Sequence, residues 1–328
     1  MSDEQATTGN SVPPAAGVRL QWDDLPEHLR GVVEDRLGSR VIAARSQPSG
    51  FSPGVASRLT LADGQCVFLK AVSPEPNPDS PSFHRREARI VAALPPDAPV
   101  PRLLWSHDEG EDGWVVLVFE DVEGREPTTP WVPAELDRVI ESIVGLSDAL
   151  TPSPLDEDFA GTTENWGIFR IGWWHLVEYG QPEGLDDWSL RHLPELIDLE
   201  AKASQAVAGT TLLHLDLRAD NLLVTDDRVL VVDWPHARIG APWLDIAFFI
   251  PSMRMQGGPP PEEIFVRHPA ARDADPDAVN AALAAIAGFF TRQSFQPPPP
   301  GLPTLRPFQA AQGAVAREWL ASRLGWSD

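Results

Sequence analysis

Short apolar runs bounded by turn residues dominate the first third of the chain, and this pattern is typical of β-strands. The five runs are 40–46, 55–62, 65–72, 102–107 and 114–121. The second and third are joined by ADGQ, a tight hairpin turn. Segments 24–37 and 82–94 instead carry apolar residues at helical spacing. We therefore predict a five-stranded antiparallel sheet with one helix inserted after its third strand.

Beyond about residue 125 the apolar spacing becomes helical, and loops rich in Pro, Asp and Gly separate the segments. The predicted helices are 132–149, 188–208, 243–253, 276–292 and 308–324. A short β-rich stretch at 211–234 interrupts them. The fold class predicted is α+β and bilobal. Its parts are a disordered Pro/Ala/Thr/Gly tail (1–17), a sheet lobe (18–122) and a helical lobe (123–328).

Composition narrows the possible partners. The 328 residues include 26 basic and 48 acidic residues, a formal net charge of −22. Such a surface repels nucleic-acid backbones and anionic membranes, so neither is expected as a partner. It would attract cationic ligands, but a role in solubility explains the acidity equally well. The single cysteine excludes an internal disulfide. The polar N-terminus resembles no signal peptide and no run reaches the ~18 apolar residues of a membrane span, so we expect a cytoplasmic protein.

Lysine is rare in this chain. Only Lys70 and Lys202 are lysines, so 24 of the 26 basic residues are arginines. Lys70 lies inside the apolar run QCVFLKAV. Either this position needs a compact ammonium and not a forked guanidinium, or the lysine is retained there by chance.

The most informative stretch is His214-Leu-Asp216-Leu-Arg218-Ala-Asp220-Asn221, followed by Val-Val-Asp233-Trp234. Oxygen ligands from Asp and Asn suit Mg²⁺, which keeps several waters and takes its other ligands from phosphates. Asp216 is placed to orient a hydroxyl proton, and Asn221 and Asp233 to hold the metal. An Asx-rich turn whose side chains cap the backbone would explain each residue singly, but not the ordered set.

This set resembles the kinase catalytic loop H-x-D-x-x-x-x-N with its later metal-binding Asp. The chain lacks the G-x-G-x-x-G and A-P-E sequences of protein kinases. Its segment Gly240-Ala-Pro-Trp-Leu-Asp245-Ile-Ala is instead similar to the aminoglycoside phosphotransferase and choline kinase group, which has a protein-kinase-like fold. Leu215 and Pro235 depart from that group, where glycine is frequent at the first position and an acidic or small residue at the second.

The resemblance implies that the sheet lobe (18–122) binds the nucleotide and that the helical lobe (123–328) holds the catalytic loop and the acceptor site. It also assigns individual nucleotide contacts in the sheet lobe. It implies that Lys70 contacts the α- and β-phosphates and that Glu87 pairs with it. The loop of Gly50, Ser52 and Gly54 would cover the phosphates through backbone N–H groups and the Ser52 hydroxyl, although a plain hairpin loop explains these residues almost as well.

The resemblance also assigns the hinge and the loop around Asp216. The Glu120 carbonyl and the Val122 amide would bind adenine. Arg218 would reach the transferring phosphate or pair with Asp220; both alternatives remain open. His214 would buttress the loop, and Asp245 would brace the loop or cap its helix.

We therefore expect a kinase that uses ATP (or GTP) and Mg²⁺ to phosphorylate a hydroxyl of a cationic small molecule, such as an aminoglycoside. A resistance role and a metabolic role are both open, as are amino sugars, amino alcohols, homoserine-like metabolites and macrolides. A regulatory pseudokinase and a protein kinase are less favoured. Acidic clusters at 156–158, 186–187 and 262–263 either attract a cationic acceptor or form a solvated surface. Tryptophans in the helical part would stack on a sugar or fill the core: 166, 173, 174 and 188.

Overall fold

A computed structural model describes residues 12–180 and 183–326. Its first half is built on one sheet of six strands. These are β1 (Arg19–Leu20), β2 (Val41–Ser46), β3 (Gly54–Leu61), β4 (Cys66–Val72), β5 (Leu103–Asp108) and β6 (Val115–Glu120). The order is β1-β3-β4-β6-β5, and β2 pairs with the same edge of β3 as β1 does. Strands β2 to β6 pair antiparallel, as expected.

The expectation of five strands is corrected by β1, which pairs parallel with β3, so the sheet is mixed. Two residues are too few to produce a periodic signal in the sequence. The predicted tail, 1–17, is also too long. Residues 1–11 lie outside the described residues, but the carbonyl of Ala15 accepts a hydrogen bond from the Gly50 N–H at 2.9 Å. Backbone pairing with a distant loop thus places this part of the tail in the fold.

Two helices pack on the sheet. Helix α1 (Glu27–Leu37) buries Leu29 and Val33 on one face of the sheet. Helix α2 (Ser80–Ala93) follows β4 and buries His84, Glu87 and Ile90 on its inner side. These three residues recur every three positions, so one face of α2 carries both the core contact and the polar groups that enter the cleft.

Helices form most of the second half. They are α3 (Pro133–Ala149), α4 (Glu157–Ala160), α5 (Trp173–Glu178), α6 (Asp187–Arg191), α7 (Leu193–Ala206), α8 (Leu244–Met255), α9 (Pro261–Phe265), α10 (Pro269–Arg272), α11 (Pro276–Ser294) and α12 (Leu305–Leu324). Two small antiparallel sheets lie among them. One pairs β7 (Thr211–Leu213) with β10 (Arg238–Gly240), and the other pairs β8 (Leu222–Val224) with β9 (Val229–Val231).

The core of this half centres on α11, which packs against α7 and α12. Its buried face is rich in alanine, which lets neighbouring helices approach closely. At Gly288 a Cβ atom would lie 2.7 Å from the Trp173 ring, so only glycine fits beside that buried indole. None of the helices in the described part of the chain combines the length and the apolarity that a membrane crossing requires.

Candidate active site

The loop after β7 is held by a buried carboxylate. Asp245, in the first turn of α8, accepts hydrogen bonds from the backbone N–H of His214 at 3.0 Å and of Leu215 at 2.7 Å. Burial raises the pKa of Asp245 to about 6, although both hydrogen bonds act in the opposite direction. Leu215 has a φ of +64°, a left-handed conformation that glycine adopts without strain. Asp245 therefore stabilises the backbone at the position where this chain departs from the family pattern.

His214 is an uncharged residue that connects two backbone segments of the loop through hydrogen bonds. Its Nε2 lies 3.0 Å from the carbonyl of Val232, and its Nδ1 accepts from the Asp216 N–H at 3.2 Å. These two bonds identify the tautomer that carries its proton on Nε2. Burial lowers the pKa of His214 to about 4, so the ring stays uncharged near neutral pH.

Arg218 joins two carboxylates of the loop. Its Nε and Nη2 donate to Asp220 at 3.0 and 2.9 Å, and its Nη1 donates to Asp216 Oδ1. Burial alone would lower the pKa of Arg218, but the two carboxylates outweigh it and hold that pKa above its ordinary value. Burial raises the pKa of Asp216, and Arg218 partly offsets this. The pairing alternative for Arg218 is thus the one observed.

Lys70 joins the sheet to the second half of the chain. Its Nζ lies 2.7 and 3.0 Å from the two carboxylate oxygens of Glu87, and 2.8 Å from Asp233 Oδ1. Burial raises the pKa of Glu87 to about 6. For Asp233, burial acts upward, but the Lys70 ammonium dominates and holds the pKa well below its usual range. Asp233 is therefore ionised, and its second oxygen has no protein donor within the described residues.

Asn221 lies between these groups. Its side-chain nitrogen donates to the Asp216 carbonyl at 2.8 Å and to Asp216 Oδ2 at 3.2 Å. These bonds identify the amide oxygen as the atom available to a cation. One amide oxygen and one carboxylate form a hard donor pair that fits Mg²⁺ when phosphates and waters complete the shell. No group of three or more His, Cys, Asp or Glu side chains within 12–180 and 183–326 could hold a metal alone.

The glycine-containing loop differs from its expected role in part. Gly50 and Ser52 line the cleft together with Lys70 and Asp233, whereas Gly54 does not. The N–H of Gly50 donates to Ala15, and that of Gly54 to Val18, so neither is free for a phosphate. At Gly54, φ is +125° and a Cβ would lie 2.5 Å from the Ala71 carbonyl. The backbone at the start of β3 therefore requires a glycine at position 54, whether or not a nucleotide is bound.

Glu120 and Val122 both line the opposite end of the cleft. The Glu120 carboxylate faces away to Arg102, with Nε at 2.8 Å. The Val122 carbonyl accepts from Arg58, whose Nε also donates to Asp121 at 2.6 Å. A backbone contact with a base at these two residues is compatible with this geometry.

Three residues in or beside the cleft were not predicted from the sequence: Arg19, Phe51 and Phe308. Arg19 lies in a strand of two residues, and Phe308 is more than 250 positions from its partner Phe51, so neither carries a local signal. The single available cue was the aromatic Phe51 between Gly50 and Ser52 in an otherwise polar loop.

Several of the acidic and aromatic groups considered for ligand contact have structural roles. Asp156 and Asp186 accept from backbone N–H groups at the starts of α4 and α6, both at 2.8 Å. Glu262 pairs with Arg323 at 2.6 Å. Trp173 is fully buried and donates to the Ala284 carbonyl at 2.7 Å. Its role is core packing.

Comparison with known proteins finds structures of similar fold. The structure is similar to an aminoglycoside phosphotransferase, a thermostable variant of APH(4)-Ia in complex with ADP and hygromycin B (TM-score 0.56, 16% identity, 88% of this chain and 98% of that one). It is also similar to a choline/ethanolamine kinase family protein from Mesorhizobium loti (TM-score 0.58, 14% identity, 90% and 96%). A third similar structure is the choline kinase LicA from Streptococcus pneumoniae (TM-score 0.56, 11% identity, 90% and 100%).

At these identities the structural likeness concerns the fold. A search of curated proteins gives no match. The sequence profile of the phosphotransferase enzyme family, APH, matches residues 47–319, which include Lys70, Asp216 and Asp233. The chain therefore belongs to the APH phosphotransferase family, whose members have a protein-kinase-like fold.

Proposed function

We propose that this phosphotransferase moves the γ-phosphoryl group of ATP (or GTP) to a hydroxyl of a small molecule. The carrying observation is the 2.8 Å contact between Lys70 of the sheet and Asp233 beyond the catalytic loop. That contact brings the proposed phosphate-binding cation next to the proposed metal-binding carboxylate, and phosphoryl transfer is catalysed mainly by positioning such charges around the phosphates. In this proposal residues 18–122 bind the nucleotide, and residues 123–328 supply the catalytic loop and the acceptor site.

In the reaction, the bond between the γ-phosphorus and the bridging oxygen of the leaving diphosphate breaks. A bond from the acceptor oxygen to that phosphorus forms, and ADP leaves. Asp216 accepts or orients the hydroxyl proton, and Arg218 fixes the direction of that carboxylate and favours its ionised form. Lys70, held by Glu87, binds the α- and β-phosphates. Positioning and charge stabilisation of this kind supply most of the catalysis in phosphoryl transfer.

Magnesium fits the donor set of this cleft. Asn221 would bind it through its amide oxygen and Asp233 through the carboxylate oxygen that does not contact Lys70. When bound, the metal neutralises charge on the phosphates. Glu120 and Val122 would bind the base through backbone groups. Gly50 and Ser52 would lie over the phosphates, where the Ser52 hydroxyl and the loop N–H groups other than those of Gly50 and Gly54 are the donors.

We further propose a cationic acceptor, such as an aminoglycoside or a related antibiotic. The net charge of −22 supports this class, as does the hygromycin B held by a structural relative. Within the acidic clusters, Glu157, Asp158, Asp187 and Glu263 are exposed and could still attract a cation. An amino alcohol or amino sugar is the alternative, because relatives of the same fold include choline kinases.

Two proposals, phosphoryl transfer and the class of acceptor, are tested by one ADP-release assay with Mg²⁺. The acceptor panel contains aminoglycosides, amino sugars, amino alcohols and homoserine. We expect one class to stimulate ADP release. Asp216→Asn should lower turnover at least ~10²-fold, as loss of a general base does, while ATP still binds. Asp226→Asn, in the exposed turn between β8 and β9, is the matched control. Unchanged turnover in the Asp216 variant would contradict the assignment. ATP binding with no active acceptor would favour a regulatory nucleotide-binding protein.

A further inference from the structure

One cation of the cleft comes from outside the region that matches the family. Arg19 lies in β1, well before residue 47, where the family match begins. Strand β1 pairs with β3 so that Arg19 is opposite Gly54. This strand is an addition to the edge of the sheet, and its arginine side chain lines the same cleft as Lys70 and Asp233.

The strand is fixed on both sides. The Gly54 N–H donates to the Val18 carbonyl at 3.2 Å, and the Val18 N–H donates to the carbonyl of Gly301 at 2.8 Å. The Thr304 hydroxyl, at the start of α12, donates to the Ala16 carbonyl at 2.8 Å. Because Gly301 and Thr304 belong to the connection between α11 and α12, the strand is anchored to both halves of the protein. Arg19 therefore enters the cleft from a fixed backbone.

The Arg19 side chain has donors to spare. Nη1 donates to the carbonyl of Ser52 and Nη2 to the carbonyl of Ser49, so the guanidinium spans the glycine-containing loop. A guanidinium has five N–H groups, and these two bonds leave three of them. The Nε atom is buried without a hydrogen-bond partner. Along the described chain, no carboxylate lies within 4 Å of the Arg19 guanidinium.

A mostly buried cation without a neighbouring anion is costly, and the cost indicates an anionic ligand. Burial lowers the pKa of Arg19, while the more distant carboxylates of Asp233 and Asp220 act in the opposite direction. Those two residues lie at the end of the cleft where the terminal phosphates and the metal belong. The Lys70 ammonium already has contacts with Glu87 and Asp233, so it cannot neutralise a polyphosphate alone.

We propose that Arg19 binds the terminal phosphates of the nucleotide. The carbonyls of Ser49 and Ser52 orient its guanidinium, and the remaining N–H groups donate to phosphate oxygens below the loop. Such charge-assisted bonds are about twice as strong as neutral ones. This inference rests on the proposed function. In this inference the Arg19 side chain contacts the phosphates in addition to the Ser52 hydroxyl and the free backbone N–H groups of the loop.

The test is calorimetric titration of the full chain with Mg·ATP, with Mg·tripolyphosphate and with adenosine. For Arg19→Gln we expect at least tenfold weaker binding of ATP and tripolyphosphate, and less than a twofold change for adenosine. Arg19→Lys keeps the charge but loses the fork, so its affinity for both phosphate ligands should be intermediate. Arg40→Gln removes an exposed arginine of the same region and should bind all three ligands as the unaltered protein does.

Three outcomes would overturn the inference. One is Mg·ATP affinity in Arg19→Gln equal to that of Arg40→Gln. Another is an equal loss for adenosine and ATP, which would show that Arg19 only shapes the cleft. If Arg19→Gln does not fold, unaltered phosphate affinity in Arg19→Lys would overturn the forked contact. Failure of the unaltered protein to bind any of the ligands would instead remove the proposed function itself.

Discussion

Phe51 and Phe308 meet edge-to-face, with ring centroids 5.2 Å apart and planes at 75°. Phe51 lies in the glycine-containing loop of the sheet region, and Phe308 lies in α12 near the other end of the chain. The guanidinium of Arg218 is 5.3 Å from the first ring and 6.0 Å from the second. The loop therefore contacts the helical region directly above the arginine that holds Asp216.

This contact should stabilise the closed arrangement of the loop during catalysis. Phe51→Ala removes an aromatic pair of roughly 1 kcal/mol, so we expect kcat/KM to fall about fivefold. Because the pair is already present in the folded protein without ligand, the free energy of unfolding should also fall, by roughly 1 kcal/mol. Phe308 is only 1% exposed, so Phe308→Ala should lower the free energy of unfolding by about 3–5 kcal/mol, in addition to its effect on kcat/KM. Steady-state kinetics and urea unfolding measure the two effects.

Phe295→Ala, at an exposed position after α11, provides the control and should leave kcat/KM unchanged. The double variant separates the pair from the rest of the core, since its coupling energy reports the interaction of the two rings. If the effects of Phe51→Ala and Phe308→Ala on kcat/KM simply add, the rings do not act together.

Glu87 should make activity depend on pH near 6. Its pKa is raised to about 6 by burial, so the carboxylate is ionised at neutral pH and protonates as the pH falls through that value. Protonation weakens its hold on Lys70, and kcat/KM should then decrease. Asp245, also with a pKa raised to about 6, protonates in the same range and releases Leu215. Two protons give a limiting slope of about two in log(kcat/KM) against pH.

Stability should not follow activity in that range. A carboxyl whose folded pKa exceeds its usual value binds a proton more readily in the folded state, so the Glu87 contribution to the free energy of unfolding rises as pH falls from about 6 toward 4.5.

In the pH profile of activity, Glu87→Gln should have low activity and a slope near one. Glu141→Gln, exposed on α3, should keep the full profile. An unchanged slope in Glu87→Gln would assign the acid limb to other groups.

Much of this site was predictable because its residues carry their function in type and order. Lys70 lies on β4 and Glu87 on α2, the helix that follows that strand, so their pairing follows from the placement of these two elements. The proposed catalytic loop is a contiguous stretch, so the sequence brings its residues together before any fold is known. Asp245 was also readable as a structural brace.

The rest depends on contacts between distant segments. The hydrogen bonds of Gly50 and Gly54 use backbone atoms of residues 15 and 18, and backbone atoms leave no trace in side-chain patterns. Arg19 is one of 24 arginines, and only the pairing of β1 with β3 distinguishes it. The carboxylates of Asp156 and Asp186 resemble a cation-binding surface in the sequence, whereas their cap geometry appears only when the helices are placed.

Leu215 should reverse the ordinary order of alanine and glycine in stability. At most positions glycine is the less stable of the two by 0.5–1 kcal/mol because of chain entropy. At φ +64° an L-residue instead carries roughly 1–2 kcal/mol of strain that glycine lacks. Both variants lose the buried leucine side chain, so both should be less stable than the unaltered protein. The free energy of unfolding of Leu215→Gly should nevertheless be higher than that of Leu215→Ala by about 1 kcal/mol.

Urea unfolding of the two variants measures this difference directly, and the same pair at Leu213 gives the internal control. Leu213 is fully buried in β7, outside the left-handed region, so Leu213→Ala should be more stable than Leu213→Gly. An identical order at both positions would show that the backbone of Leu215 is unstrained.

Arg218 tests whether a cation acts on Asp216 or on substrate. Arg218→Lys keeps the charge, but a compact ammonium cannot contact Asp216 and both oxygens of Asp220 as the guanidinium does. With Asp216 less well oriented, kcat should fall at least ~10-fold while the KM for ATP stays within about twofold. Arg125→Lys alters an exposed pair with Glu135 and should change neither constant.

A raised KM for ATP with unchanged kcat would mean that Arg218 binds the nucleotide, since uniform binding changes KM alone. A lower kcat at constant KM instead follows from the ion pair with Asp216, because that pair acts on the carboxylate that orients the hydroxyl.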